Sequence, residues 1–184
     1  GKKEAVANYI LARYAARFQK PAIRTEVCLI IYGSEGDGKN MMLTPIINIL
    51  GKYCVELEDA KKLYGPHSKS ENEKLLIVVN EASGSTNFNN CEILKSRITE
   101  KKLLINPKGI DEYSIDNRCD YDMTANNMNV VKLTDESHRN FFQIETTNHY
   151  QGNADFFKKF YENIATNNVA LKQIYDGLMK LDID

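Results

Sequence analysis

Residues 33–40, Gly-Ser-Glu-Gly-Asp-Gly-Lys-Asn, follow the apolar run 27–32 and precede residues 41–50, which read as a helix. Strand, glycine-rich loop, lysine and helix is the order that a phosphate-binding P-loop demands, and it points to an α/β fold. Glycines let successive backbone N–H groups face one anion, and the helix N-terminus adds its partial positive charge. The candidate nucleotide-binding residues are Gly33, Ser34, Glu35, Gly36, Asp37, Gly38, Lys39, Asn40 and Met41. Of these, Lys39 would reach the β- and γ-phosphates. The pattern expects a Ser or Thr hydroxyl for Mg²⁺ where this chain has Asn40, whose amide oxygen would bind the ion directly or through water, and more weakly. A ligand-free glycine turn is the competing reading, and the flanking strand and helix argue against it.

The 184 residues suffice for one domain with a full core, and 42% hydrophobic against 27% charged residues is an ordinary globular balance. No apolar run is long enough to cross a membrane and no signal-peptide pattern is present, so an intracellular chain is expected. It begins Gly-Lys-Lys without an initiator Met and reads as a piece of something longer. A formal net charge of −1 leaves any nucleic-acid contact to a local patch. Cys28, Cys54, Cys91 and Cys119 have no Cys-x-x-Cys spacing, and His67, His138 and His149 are far apart, so a zinc site is not expected.

Apolar residues at helical spacing (Val6, Tyr9, Ile10, Tyr14, Phe18) predict a helix over 5–18 that ends near Pro21. The loop helix should stop at Gly51, with Pro45 kinking or breaking it. A short helix is expected at 58–63, a surface loop at 65–72 and a further helix at 91–99. The continuous apolar run 75–79 reads as a strand buried on both faces. Strands at 103–106 and 113–115 flank Pro107, Lys108 and Gly109 as a hairpin, and 120–124 and 141–144 read as strands. Two helical patterns, 156–164 and 169–178, end the chain. The division expected is a helical lead-in over 1–22, a core over 23–150 and C-terminal helices over 151–184. Alternating strands and helices imply a mostly parallel sheet flanked by helices.

The strand at 75–79 runs into Asn80 and Glu81, and a carboxylate at a strand's C-terminal end lies where open α/β sheets bind ligands. Glu81 is the candidate general base or water-orienting group, and Asn80 with Asn40 would give the Mg²⁺ shell two neutral amides. Asn126, after the strand at 120–124, is placed to sense a γ-phosphate, although Asn-Asn after a strand is also a common turn. Arg139, just before the strand at 141–144, would project from one subunit into a neighbour's site, unless it is an ordinary surface arginine. Lys95, Arg97, Lys101, Lys102 and Lys108 concentrate positive charge around the hairpin, for sequence-blind contact with a phosphate backbone or as a solvated face.

Taken in order, residues 33–40, 75–83, 94–109, 123–127 and 137–145 resemble the superfamily 3 helicases, a branch of the AAA+ ATPases. More narrowly they resemble the helicase part of poxvirus-type primase–helicases of large DNA viruses, phages and mobile elements. The stretches Val-Asn-Glu-Ala-Ser at 79–83 and Ile-Asn-Pro-Lys-Gly at 105–109 are the most specific pieces. Gln19, Lys20 and Pro21, and residues 178–182, also fit. The resemblance implies an AAA+ P-loop core with a DNA-contacting hairpin before the sensor strand, working as an ATP- and Mg²⁺-dependent hexameric ring on single-stranded DNA at a replication fork. It also implies a primase domain elsewhere in the full-length chain, and a location at the viral or mobile-element replication site, in host cytoplasm or nucleoid. On that model Lys39 and Asn40 hold phosphates and Mg²⁺, and Asn80 and Glu81 form the Walker B pair. Asn126 is then the sensor, Arg139 the finger acting across subunits, and Lys101, Lys102 and Lys108 the DNA contacts. The family often has two adjacent arginines where this chain has Arg139 and Asn140. Residues 6–18 would be what is left of the family's helical collar. Two readings stay open beside it: a P-loop ATPase that is not a helicase, such as a remodelling or packaging motor, and a non-hydrolysing DNA-binding module.

Overall fold

The structure, a computed structural model, describes residues 1–58, 61–64, 71–80, 88–106, 109, 111–128 and 138–183. Helix α1 (Lys2–Gln19) leads into β1 (Cys28–Tyr32), the loop and α2 (Lys39–Leu50). Then come β2 (Cys54–Leu57), the short α3 (Lys61–Tyr64), β3 (Leu76–Val79) and α4 (Phe88–Thr99). The hairpin of β4 (Lys102–Ile105) and β5 (Tyr113–Asp116) precedes β6 (Asp120–Ala125) and β7 (Phe141–Glu145). Helices α5 (Ala154–Phe160) and α6 (Asn168–Lys180) close the chain, joined by a π-helical turn over Tyr161–Ala165.

Five strands form one sheet in the order β2-β3-β6-β1-β7, and every pairing in it is parallel. This is the α/β architecture expected. Side chains alternate along β1, so Cys28 and Ile30 enter one core with Ile77, Val79, Met123, Leu94 and Ile98. Leu29 and Ile31 enter the other, with Leu43, Ile46 and Leu50 of α2, Tyr14 and Ala15 of α1 and Leu178 of α6. The antiparallel hairpin stands apart from this sheet.

Of the two readings of Pro45, a break in the loop helix is the one the structure overturns. Helix α2 is unbroken from Lys39 to Leu50 with Pro45 inside it. Pro45 denies the Met41 carbonyl its helical donor, but the buried Leu43, Ile46 and Leu50 hold the helix to the sheet on both sides of it. Strand β2 went unread because it is four residues long, lies at the sheet's edge and contains Glu56. The α1 stripe holds at Tyr14, with Ile10 and Phe18 packed against the core, but Tyr9 is exposed and the buried set also takes in Arg13, Ala15 and Arg17. Asn153 and Asn167 cap the last two helices, accepting from the backbone N–H of Phe156 at 3.0 Å and Val169 at 2.9 Å. Gln19 joins the two ends of the chain by donating to the carbonyls of Leu178 (2.7 Å) and Leu181 (2.9 Å). Among the described residues, no helix is long and apolar enough to cross a membrane.

Cys28, Cys54 and Cys119 are buried, and burial pushes all three thiols up, Cys54 to about 12. Because the thiolate is the reactive form, alkylation of these three by iodoacetamide near pH 8 should run about a thousandfold slower than for a free thiol. Denaturation should remove the difference, as mass spectrometry of the labelled peptides would read. Rapid labelling of Cys28 in the folded chain would contradict this packing.

Candidate functional site

All five strands of the sheet point the same way, so the residues that follow them share one edge. Tyr32 pairs with Ala125 on one side and Glu145 on the other, which sets Gly33, Asn126 and Thr146 level with one another. The loop turns there on Gly36 (φ 76°) and Gly38 (φ 89°), a backbone that side-chain-bearing residues rarely adopt. At Gly33 a Cβ would collide with the side chains of Thr146 and Asp37.

Lys39 opens α2 and is 6% exposed. Its ammonium donates to the carbonyls of Ser34 at 2.9 Å and Gly33 at 3.3 Å, and lies 3.6 Å from the Asp37 carboxylate. Asp37 accepts from the Lys39 backbone N–H at 3.0 Å and from the Thr146 hydroxyl. Thr146 in turn bonds the Tyr32 carbonyl through its backbone N–H at 2.9 Å, and its hydroxyl oxygen lies 3.2 Å from the same carbonyl. The loop is therefore tied to β7 as well as to its own strand. Gln151 adds a bond to the Glu35 carbonyl at 2.8 Å.

A cavity of about 320 Å³ opens over the loop, walled by Glu35, Gly36, Asp37, Gly38, Lys39, Asn40, Met41, Asn126 and Phe157. Glycine loop, lysine, two of the three amide candidates (Asn40 and Asn126) and the α2 N-terminus thus meet in one place. Ser34 is exposed at the loop's start. Asn80 ends β3, two strands from the loop strand, and its amide donates to Glu56 at 3.0 Å; it does not wall this cavity. Glu81 lies outside the described residues.

Arg139 is exposed in a 3-10 turn (His138–Asn140) at the opposite edge of the sheet. The five residues of β7 separate it from the loop's edge by about 16 Å at about 3.3 Å per residue. Asn140, where the family often has a second arginine, is buried and donates to the Glu26 carbonyl at 3.2 Å. Lys101 and Lys102 are exposed at the base of the hairpin, the length of β4 from its tip. Lys108 lies outside the described residues. Arg97 is ion-paired with Glu71 and its carbonyl accepts from Asn117, so it serves the packing of α4.

Sequence reading missed Thr146, which holds Asp37, and Tyr150, Phe156 and Phe157, which stand beside the loop. Their only local trace is an aromatic cluster soon after β7, which reads equally well as helix core.

Known proteins share this fold. The DNA primase-polymerase of Nitratiruptor phage NrS-1 is 26% identical over 168 residues, covering 82% of this chain and 23% of the phage protein. The chain thus spans about a quarter of that relative. The solved apo C-terminal region of NrS-1 superposes with a TM-score of 0.81 at 24% identity, over 98% of this chain and 42% of that one. A JCV helicase superposes with a TM-score of 0.58 at 8% identity, over 89% of this chain and 53% of that one. These superpositions establish a shared fold. A family model covers residues 31–140, more than half of the chain and the span that carries the loop, Asn80, Asn126 and Arg139, so the chain belongs to the family of unknown function DUF5906.

Proposed function

We propose that this chain is the ATP-driven motor of a superfamily 3 helicase within a longer viral or mobile-element replication protein. The observation that carries the reading is the cavity in which Lys39, Asn40 and Asn126 face the glycine loop at the α2 N-terminus. The cradle suits a polyphosphate. Gly36 and Gly38 take backbone conformations that turn the loop around an anion, and the Lys39 ammonium is held at its floor. ATP with Mg²⁺ would supply a γ-phosphoryl group for transfer to water. Lys39 would bind its phosphates, and Asn40 and Asn80 would hold the ion directly or through water. Glu81 would orient the attacking water and take its proton, and Asn126 would sense the γ-phosphate.

Arg139 has no reach to its own loop, which supports action in a neighbouring subunit of a ring, with six subunits the expected number. The inward-turned Asn140 leaves Arg139 as the side chain available for that task. The hairpin directly before β6 would carry the DNA contact, through Lys101 and Lys102 at its base together with Lys108. Single-stranded DNA as the track and a primase domain elsewhere in the full-length protein fit the name of the phage relative.

The test is ATP turnover as a function of protein concentration, with and without single-stranded DNA. Specific activity should rise with both. Arg139→Ala and Glu81→Gln should each lose turnover by about a hundredfold or more, in line with the loss of a transition-state cation or a catalytic base. An equimolar mixture of the two should recover part of the rate, because some mixed interfaces hold both intact groups. Failure of the mixture to recover would rule out action across subunits, and a rate indifferent to DNA would favour a motor with another substrate.

A further inference from the structure

Asp37 is an awkward residue for a phosphate cradle. It sets a carboxylate inside the loop, with its side chain 1% exposed and one oxygen 3.6 Å from the Lys39 ammonium. A buried carboxylate needs hydrogen-bond donors or a paired cation. Here its two oxygens are held separately. Oδ1 accepts from the Lys39 backbone N–H at 3.0 Å, and Oδ2 accepts from the Thr146 hydroxyl. The Lys39 ammonium stands outside hydrogen-bond range of both and donates instead to the carbonyls of Ser34 and Gly33. Thr146 follows β7, which pairs with the loop strand β1, and its backbone N–H is bonded to Tyr32. The stretch it opens stays against the loop. Gln151 donates to the Glu35 carbonyl, and Phe157, which walls an aromatic cavity of about 350 Å³ with Tyr150 and Phe156, fills the space a Cβ on Gly38 would need. Gly33 likewise has no room for a side chain, because Thr146 and Asp37 meet beside it. Their contact is therefore part of the loop's shape.

We propose that Thr146 is a positioning residue for phosphate binding: its hydroxyl satisfies the Asp37 carboxylate, and this leaves the Lys39 ammonium available to the phosphates. The proposal rests on the reading of the loop as a nucleotide cradle. Without the hydroxyl, Oδ2 loses its donor at a place that water scarcely reaches. The Lys39 ammonium, 3.6 Å from the same carboxylate, is at hand to replace it. Lys39 then closes onto Asp37 and meets an incoming polyphosphate with its charge already matched by a carboxylate. Thr146 acts through Asp37 and needs no contact with the phosphates.

The test measures affinities for ATP with Mg²⁺ and for inorganic tripolyphosphate by calorimetry, with thermal melting alongside. Thr146→Val removes the hydroxyl and keeps the side chain's shape; Thr146→Ala, which leaves a smaller group, is carried in parallel in case the valine does not fold. Loss of the hydroxyl should weaken both ligands about tenfold, the effect of one hydrogen bond to a charged group. Thr146→Ser should restore the affinity. In an Asp37→Asn background, removing the Thr146 hydroxyl should change affinity by less than about twofold, because no carboxylate remains to capture Lys39. A hydroxyl that serves only the fold would act alike in both backgrounds. Equal losses in the two backgrounds, undiminished affinity in Thr146→Val, or failure of Thr146→Ser to restore it would each overturn the proposal; if Lys39→Ala still weakens ATP, the loop reading survives. A wild-type chain that binds neither ligand, or Lys39→Ala that binds them equally well, overturns the loop reading and this proposal with it.

Discussion

Lys39→Ala should weaken nucleotide binding by about a hundredfold or more, the effect of removing a charge-assisted contact of about 3 kcal/mol. The position of the ammonium explains why the loss should be so large. It is almost buried, between the Ser34 and Gly33 carbonyls, and is the cation closest to the Asp37 carboxylate in the network around it. Truncation removes the positive charge facing the phosphates and leaves the negative charge of Asp37 beside them. Repulsion then adds to the lost attraction. Lys39→Arg is expected to be a poor substitute, because the space between two carbonyls suits a compact ammonium and not a planar fork. The fold should survive either change, since Asp37 keeps its bonds from the Lys39 backbone N–H and the Thr146 hydroxyl. Titration of a fluorescent nucleotide into the variants, alongside their melting curves, checks both statements. Undiminished affinity in Lys39→Ala would mean that the loop is not the phosphate cradle.

The loop was legible in the sequence because its information is local. Three glycines and a lysine lie within seven residues, and the apolar runs on either side declare strand and helix without long-range help. The same holds for β3 and β6, whose continuous burial follows from their central places in a parallel sheet. The aromatic cavity was not legible. It forms only when the turn at Tyr150 and helix α5 fold back over Gly38, a juxtaposition of residues more than a hundred positions apart. The tie between Asp37 and Thr146 is hidden for the same reason. Arg13 and Arg17 went unread for a different reason. Charged residues four apart on a helix read as its wet face, and here they are the face turned to the sheet.

That buried face carries the second large effect. Arg13 lies 2.8 Å from Asp122 of β6, which also accepts from the Tyr14 hydroxyl at 2.7 Å. One turn on, Arg17 pairs with Asp120 at 3.3 Å and donates to the carbonyls of Pro21, Ile23 and Arg118. Arg13→Met should cost about 3–5 kcal/mol, because it strands a carboxylate with no exposure to water. For a chain of this size that is a fall in Tm of about 10 °C. The triple variant Arg13→Met, Tyr14→Phe, Asp122→Leu should recover part of the loss, since it removes the stranded carboxylate and its side-chain partners together, while the Val27 and Tyr121 carbonyls still lose the Arg13 donor. The single variant should also respond to pH in a definite direction. Burial pushes the Asp122 carboxyl above its usual range, and Arg13 and Tyr14 oppose that push. Without Arg13 the folded value rises further above the unfolded one. A group shifted this way contributes its full stability below the unfolded value and loses it as pH rises through the folded one. Arg13→Met should therefore lie closest to wild type in acid, below the ordinary carboxylate range, and fall further behind it as pH rises. A deficit that is flat with pH, or a triple variant no more stable than the single one, would mean that α1 is held to β6 by packing alone. Because β6 ends at Asn126 in the loop cavity, the fully apolar variant also separates two roles of the network. Recovered stability with recovered turnover would make it a fastening; recovered stability with lost turnover would make it the element that sets where Asn126 stands.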